Sequence, residues 1–369
     1  MTHGAEGRLG AVSILPNGCR PPGAGRSCLP WRRQIELSED ELVEAIARVL
    51  SGPEPGVVVG IGDDAAVLEQ GGGQLVFTTD LMVEGVHFER GSSAARDLGA
   101  KAVTVNVSDI AAMGASPRYA IAAVAVPRDV EAAWVIELTG GMREACGEYA
   151  LALVGGDTNR AEMIVLSVAV VGEVAPGRAV TRSGARPGDR IVVTGSLGGA
   201  AGGLAISKAP PDEAAAALSE PWGRDLSEAL ARPVARVGEA QILARAGATA
   251  MMDVSDGLAI DLARLCRASG VGARVAIADV PVADALRRGA AALGIDALEL
   301  ALSGGEDYEL VATIPQDAVE AARADLFEAF GTKLSEIGAV VDGSGLVAER
   351  EDGSASPLRP AGWDHFGHG

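Results

Sequence analysis

Six short segments set a carboxylate beside glycine or a small hydroxyl residue in otherwise apolar surroundings. They are Gly60-Ile-Gly-Asp-Asp-Ala, Thr78-Thr-Asp80, Asn106-Val-Ser-Asp109, Gly155-Gly-Asp157-Thr-Asn, Asp253-Val-Ser-Asp256-Gly-Leu and Ser303-Gly-Gly-Glu306-Asp307-Tyr. Most read as an apolar strand, small residues, then a carboxylate at the strand end, where α/β folds place ligands. Converging carboxylates need a counter-charge: two like charges about 4 Å apart repel by roughly 4 kcal/mol at an effective dielectric near 20. A proton relieves one such pair. Hard divalent cations relieve all of them, and magnesium does so while holding substrate phosphates.

Each cluster alone has a plainer reading. An Asp after a strand is usually a turn residue or a helix N-cap; Ser255 and Asp256 read as caps, and Asp63 and Asp64 fit a turn. Repetition with adjacent glycine favours ligand binding, because glycine lets backbone approach a phosphate closely. Arg182, in Thr181-Arg-Ser-Gly, is a candidate for nucleotide phosphates. Lys101 reads as a solvated helix residue, and His87 follows Asp80 by seven residues. The glycine-rich run Thr194 to Leu204 lacks the Lys-Ser/Thr of a P-loop and the spacing of a dinucleotide fold. Close packing of a helix start and phosphate contact both remain open for it.

The elements that must position these residues follow from periodicity. Ser38 with Glu41 forms a capping box opening a helix through Leu50, which stops at Ser51-Gly-Pro. Val57 to Ile61 and Leu75 to Thr79 read as buried strands, Ala94 to Met113 as a long, mildly amphipathic helix, and Tyr119 to Val126 as a strand. Glu131 to Tyr149 reads as a helix, followed by strands at Leu151 to Val154 and Met163 to Val171. A polar stretch from Thr181 to Asp189 marks a domain boundary. Beyond it come strands at Arg190 to Thr194, Ala250 to Val254 and Leu310 to Ile314, with a helix starting at Ser255. The class is α+β, built from two α/β-type halves.

Of the 369 residues, 48% are hydrophobic and 3% aromatic, so aliphatic side chains must fill the core. A formal charge of −19 excludes the basic footprint that nucleic acid or an anionic membrane requires. Four scattered cysteines suit a reducing cytoplasm better than a disulfide scaffold. No apolar run reaches membrane-spanning length. Residues 1–36, rich in Gly, Pro and Arg, are expected to be a disordered extension or a misassigned start, the folded chain beginning near Leu37.

Eight stretches in order resemble the thiamine-monophosphate kinase family: Gly60-IGDDAAVL, Thr78-TDLMVEGVHF, Lys101-AVTVNVSDIAAMGASP, Gly155-GDTNR, Thr181-RSGARPGD, Met252-DVSDGLAIDL, Ser303-GGEDYEL and Gly362-WDHF. The resemblance implies a fold of the aminoimidazole-ribonucleotide-synthetase type, with residues 37–180 as an ATP- and metal-binding, dimerising domain and 181–369 completing the site. It implies a homodimer whose N-terminal strands form a shared barrel. The implied reaction is direct transfer of the ATP γ-phosphoryl group to thiamine monophosphate. By motif position, Asp64, Thr78, Thr79, Asp80, Asp109, Asp157, Asp253 and Asp256 would hold several magnesium ions. Gly156, Asp157, Arg182 and Ser255 would contact ATP, and His87, Glu306 and Trp363 the thiamine substrate, with no discrete acid or base. Competing readings are selenophosphate synthetase, aminoimidazole ribonucleotide synthetase, and a non-catalytic dimeric scaffold. Cys19 and Cys28 lack the glycine-rich loop setting that selenophosphate chemistry would need.

Overall fold

The computed structural model describes residues 38–49, 55–91 and 93–363. The expectation for residues 1–36 lies outside them, as do Asp364, His365 and Phe366 of the last motif. The capping box forms as read: Ser38 N–H donates to Glu41 Oε2 at 2.9 Å and Glu41 N–H to Ser38 Oγ at 3.4 Å. It opens α1 (Glu39–Val49).

The first half continues with β1 (Val57–Val59), β2 (Ala66–Gln70), β3 (Gly73–Val83), α2 (Ala95–Ala112), β4 (Ser116–Val126), α3 (Ala132–Glu148), β5 (Ala152–Arg160) and β6 (Val165–Val174). Its six strands form one open sheet in the order β1-β2-β3-β6-β4-β5, antiparallel except for the parallel β4–β5 pair. Among the described residues no barrel closes. β1 was expected to be buried, but it lies at the sheet edge and leaves Val57 and Val58 exposed.

α2 carries the structure of this half. Its Ala, Val and Gly residues are buried almost all round, as befits a helix apolar on every side. It packs on β3, β6 and α3. A Cβ on Gly99 would stand 1.9 Å from Leu138 O and one on Gly141 1.7 Å from Arg96 O, so only glycine permits this backbone-to-backbone crossing of α2 and α3.

The second half runs β7 (Arg190–Thr194), α4 (Gly199–Lys208), α5 (Pro211–Ser219), α6 (Pro221–Ala231), α7 (Val237–Arg245), β8 (Ala250–Asp253), α8 (Leu258–Ser269), β9 (Gly272–Ala276), α9 (Asp284–Leu293), α10 (Ala297–Ser303), β10 (Leu310–Ile314), α11 (Val319–Phe330), β11 (Leu334–Val341), β12 (Gly345–Glu349) and β13 (Ala355–Leu358). Its sheet has the order β13-β12-β9-β11-β7-β10-β8. Both faces are covered: Ile191 and Val193 of β7 enter one core, while Val192 enters the other beside Ala111 and Ala112 of α2. Through its contacts with α7 and β8, α2 thus joins both halves. Among the described residues no helix is long and apolar enough to cross a membrane.

Candidate functional site

α2 also brings the chemistry together. Asp109, on its last turns, meets Asp64 from the β1–β2 loop and Asp253, the final residue of β8. One oxygen of each lies within 4.8 Å of the others. Of the carboxylates expected at strand ends and in the loops after them, Asp253 ends β8, Asp64 follows β1 and Asp256 follows β8. Asp109 is helical, and Asp80 and Asp157 lie inside β3 and β5.

The neighbours of these groups fix their orientation. Thr78 Oγ1 donates to Asp109 Oδ2 at 2.7 Å, and Ser108 Oγ to Asp253 Oδ2 at 2.6 Å. Asp80 N–H donates to Asn106 Oδ1 at 2.8 Å. Arg182 supplies the cation: Nη2 lies 2.6 Å from Asp64 Oδ1, and its backbone N–H reaches both oxygens of Asp63. Asp64 Oδ2 and Arg182 Nε are nonetheless buried without a hydrogen-bond partner.

The electrostatics follow. Burial, then the charges of Asp256 and Asp64, raise Asp80 to a pKa of about 6. Burial, then Asp80, Asp253 and Asp64, push Asp109 well above the usual carboxylate range. Asp253 is raised by burial and then by Asp64. Burial works against the charge of Arg182, yet Asp64, and after it Asp63 and Asp253, hold its pKa above the ordinary value. The donor set is all hard oxygen, under-compensated, with one orphaned carboxylate oxygen. It fits magnesium.

A second loop closes over the first. Glu306 and Tyr308 adopt left-handed backbone, at φ 69° and 51°, a conformation that side chains rarely take and that gathers at functional sites. It is fixed by Glu306 N–H to Ser255 O at 2.7 Å and Tyr308 N–H to Val254 O at 2.9 Å. Tyr308, quoted in the last acidic segment but given no role there, is buried among the carboxylates. Desolvation, then Glu306, Asp80, Asp253 and Asp256, raise its pKa well above the ordinary value and keep the phenol neutral.

Lys101 corrects another reading. It is buried, its ammonium 2.8 Å from Glu306 Oε1 and 3.0 Å from Leu230 O. The helix expected at Ser255 starts at Leu258, because Gly257 takes φ 130° and Asp261, not Ser255, accepts the N–H groups of Asp256 and Gly257. In the glycine-rich run, packing explains the glycines. A Cβ on Gly203 would lie 2.2 Å from Leu226 O, and Asp307 already accepts Gly198 N–H at 2.6 Å and Ala200 N–H at 3.3 Å at the start of α4.

His87 lies in the turn after β3, its Nδ1 accepting Val83 N–H at 3.0 Å. The backbone N–H of Trp363 donates to Asp256 O at 3.0 Å, which ties its backbone to the Asp253–Asp256 loop, and its side chain is half-exposed. Two expected residues lie apart. Strand alternation turns Thr79 away from Asp80, and its hydroxyl donates to Val168 O at 3.0 Å. Asp157 is exposed on β5, three strands from β3, about 14 Å at the usual strand spacing. Registers through Ala123, Ser167 and Leu81 put Asp157 on the same open face as Thr79. Gly156 is needed for strand pairing, since a Cβ there would lie 1.8 Å from Ala122 O.

Family models for AIR synthase related proteins match this chain twice, the N-terminal domain over residues 62–174 and the C-terminal domain over 186–351. Thiamine-monophosphate kinase from Aquifex aeolicus is 35% identical over 334 residues, 90% of this chain and all of that one. The enzyme of that name from Escherichia coli K12 is 39% identical over 314 residues, covering 84% and 92%. A solved structure of AaThiL complexed with AMPPCP and TMP superposes with a TM-score of 0.78 at 34% identity, covering 90% of this chain and 99% of that one. With the motifs in order, both domain models matched and relatives spanned nearly end to end, the chain belongs to the thiamine-monophosphate kinase family of AIR synthase related proteins.

Proposed function

We propose that the chain transfers the γ-phosphoryl group of ATP to thiamine monophosphate, giving thiamine diphosphate and ADP. The observation that carries this reading is the meeting of Asp64, Asp109 and Asp253 with one carboxylate oxygen left unpartnered, in a chain of this family. The acceptor oxygen already belongs to a phosphate and is an anion near neutral pH, so no general base is required. Phosphoryl transfer asks mainly for alignment and charge neutralisation.

Magnesium, held by Asp64, Asp80, Asp109, Asp253 and Asp256 with Thr78 beside them, would screen the two polyanions from each other. Arg182, anchored by Asp64 and Asp63, meets the nucleotide phosphates, with Ser255 and Gly156 as further ATP contacts. His87, Glu306 and Trp363 take the thiamine moiety; an indole face suits a cationic ring. We assign residues 37–180 and 181–369 to two domains, and the cytoplasm as the compartment.

The open face of the first sheet supports a homodimer. Phe77 is 44% exposed, Leu81 and Tyr119 55% and Ile121 50%, an apolar area of the kind that marks an interface. A second copy seated there would complete the barrel, and Thr79 and Asp157 lie on that same face as further metal ligands. Incubation with ATP, magnesium and thiamine monophosphate, followed by chromatography, tests the reading. Thiamine diphosphate with equal ADP, both abolished by EDTA, is expected. ADP without thiamine diphosphate would refute the substrate, and neither product would favour a scaffold.

A further inference from the structure

Asp256, a metal ligand in the proposed function on which this inference rests, is gripped from behind by residues outside every motif quoted above except its own. Arg264, two turns along α8, donates through Nη1 to Asp256 Oδ2 and, at 3.0 Å, to Asp261 Oδ1. Its Nε reaches Asp40 Oδ1 on α1 at 3.2 Å. Asp40 is held in turn by Arg267 Nη1 at 2.7 Å. Asp261 closes the ring, its Oδ2 accepting the backbone N–H of Asp256 at 3.0 Å and of Gly257 at 3.1 Å. One guanidinium thus ties three carboxylates from two distant parts of the chain.

We propose that Arg264 is a positioning residue for the reaction: it fixes the Asp256 carboxylate for its cation, and α1 braces it through Asp40. The arrangement separates the tasks of the acidic groups. Asp261 is fully buried and turned to backbone, Asp40 is on a surface helix, and Asp256 alone among the three approaches Asp80. With Oδ2 engaged by Arg264, the other oxygen is the one left for a cation. Partners behind a ligand hold its orientation, and their loss typically weakens metal affinity by roughly 10- to 100-fold. The α1 helix, which contributes nothing to the carboxylate cluster itself, becomes a strap across the back of the site.

Coulomb attraction alone makes the opposite prediction. Removing a cation near a metal site should tighten metal binding, so the direction of the effect decides. In the full-length protein, Arg264→Met, Arg264→Lys and Asp40→Asn are compared with wild type by titrating Mn²⁺, read by electron paramagnetic resonance with a non-hydrolysable ATP analogue present. Magnesium dependence of turnover is measured in parallel. Arg264→Met is expected to weaken Mn²⁺ binding by roughly 10-fold and to raise the half-saturating magnesium concentration in step. Arg264→Lys should recover part of the loss, and Asp40→Asn should shift both in the same direction by about 2- to 5-fold. Unchanged or tighter Mn²⁺ binding in a folded Arg264→Met would overturn the proposal. If that variant does not fold, wild-type isotherms for both Arg264→Lys and Asp40→Asn would do so. A wild type that binds Mn²⁺ and nucleotide but makes no thiamine diphosphate would defeat the proposed function while leaving the Arg264 result readable.

Discussion

Two buried acidic networks in this molecule are treated in opposite ways. Around β7, Glu309 receives a bidentate grip from Arg236, at 2.8 Å and 2.6 Å, and a hydrogen bond from Thr194 Oγ1 at 2.7 Å. Glu239 beside it accepts from Arg236 at 3.3 Å and Thr332 at 2.8 Å. None of these side-chain atoms is buried without a partner. Between α2, β3 and β8 lie Asp64, Asp80, Asp109 and Asp253, of which Asp64 pairs with the guanidinium of Arg182, and Asp64 Oδ2 is orphaned. A network that holds a fold is satisfied within the chain. The one proposed to hold a ligand keeps uncompensated charge, a deficit that would favour a bound cation.

Mutations should therefore split the two networks. Asp80→Asn is expected to abolish turnover while the apo protein, in the absence of magnesium, melts no lower than wild type, because a repelled charge has been removed. Turnover assays and thermal scans decide this, and retained activity would remove Asp80 from the metal set. Glu309→Gln should do the reverse. It leaves the largely buried Arg236 without its carboxylate, at a cost of about 3 kcal/mol, read by urea denaturation, with little effect on KM for either substrate in protein that stays folded. A Glu309 variant that lost activity with stability intact would erase the distinction.

The site was more legible than its scaffold. Carboxylates next to glycine in apolar segments are conspicuous, and their chemistry can be read without knowing where they sit in space. Which face they occupy could have been read from strand alternation, since Thr79 and Asp80 are neighbours and must point oppositely. Lys101 was hidden for a different reason. α2 reads as mildly amphipathic yet is buried on nearly all sides, so a lysine in it is mistaken for one on a solvated face. Arg264 pairs with Asp40 across 224 positions, a separation no local pattern encodes. The sheet's apolar open face is equally invisible in sequence, because strands with two apolar faces look alike whether helices or a second copy cover them.

Acid should imitate magnesium at the under-compensated site. The folded chain holds Asp80 with a pKa of about 6, above its ordinary 3.8. Without metal, the native state then binds more protons than the unfolded one between those values. That stability is fully present at low pH and lost as pH rises through about 6. Magnesium bound at the proposed ligands would take over from the protons, because metal-binding carboxylates must be deprotonated. The increase in Tm on adding magnesium should thus be small near pH 5 and grow through pH 6 to 7.5. An increase independent of pH would place the metal elsewhere.

The smallest effect expected concerns the border between the two kinds of network. Lys101 compensates Glu306 as Arg236 does Glu309, yet Glu306 stays partly exposed, with 27% of its side chain accessible, and sits on a strained loop over the carboxylates. A purely structural pair would lose stability on Lys101→Met and leave kinetics alone. If Lys101 holds Glu306 for the thiamine moiety, Lys101→Met should raise KM for thiamine monophosphate by roughly tenfold, the scale of one hydrogen bond to a charged group. KM for ATP should hardly change. The double variant with Glu306→Gln settles which: a shared role predicts no further rise in KM beyond the larger single effect, whereas independent roles predict that the two effects multiply.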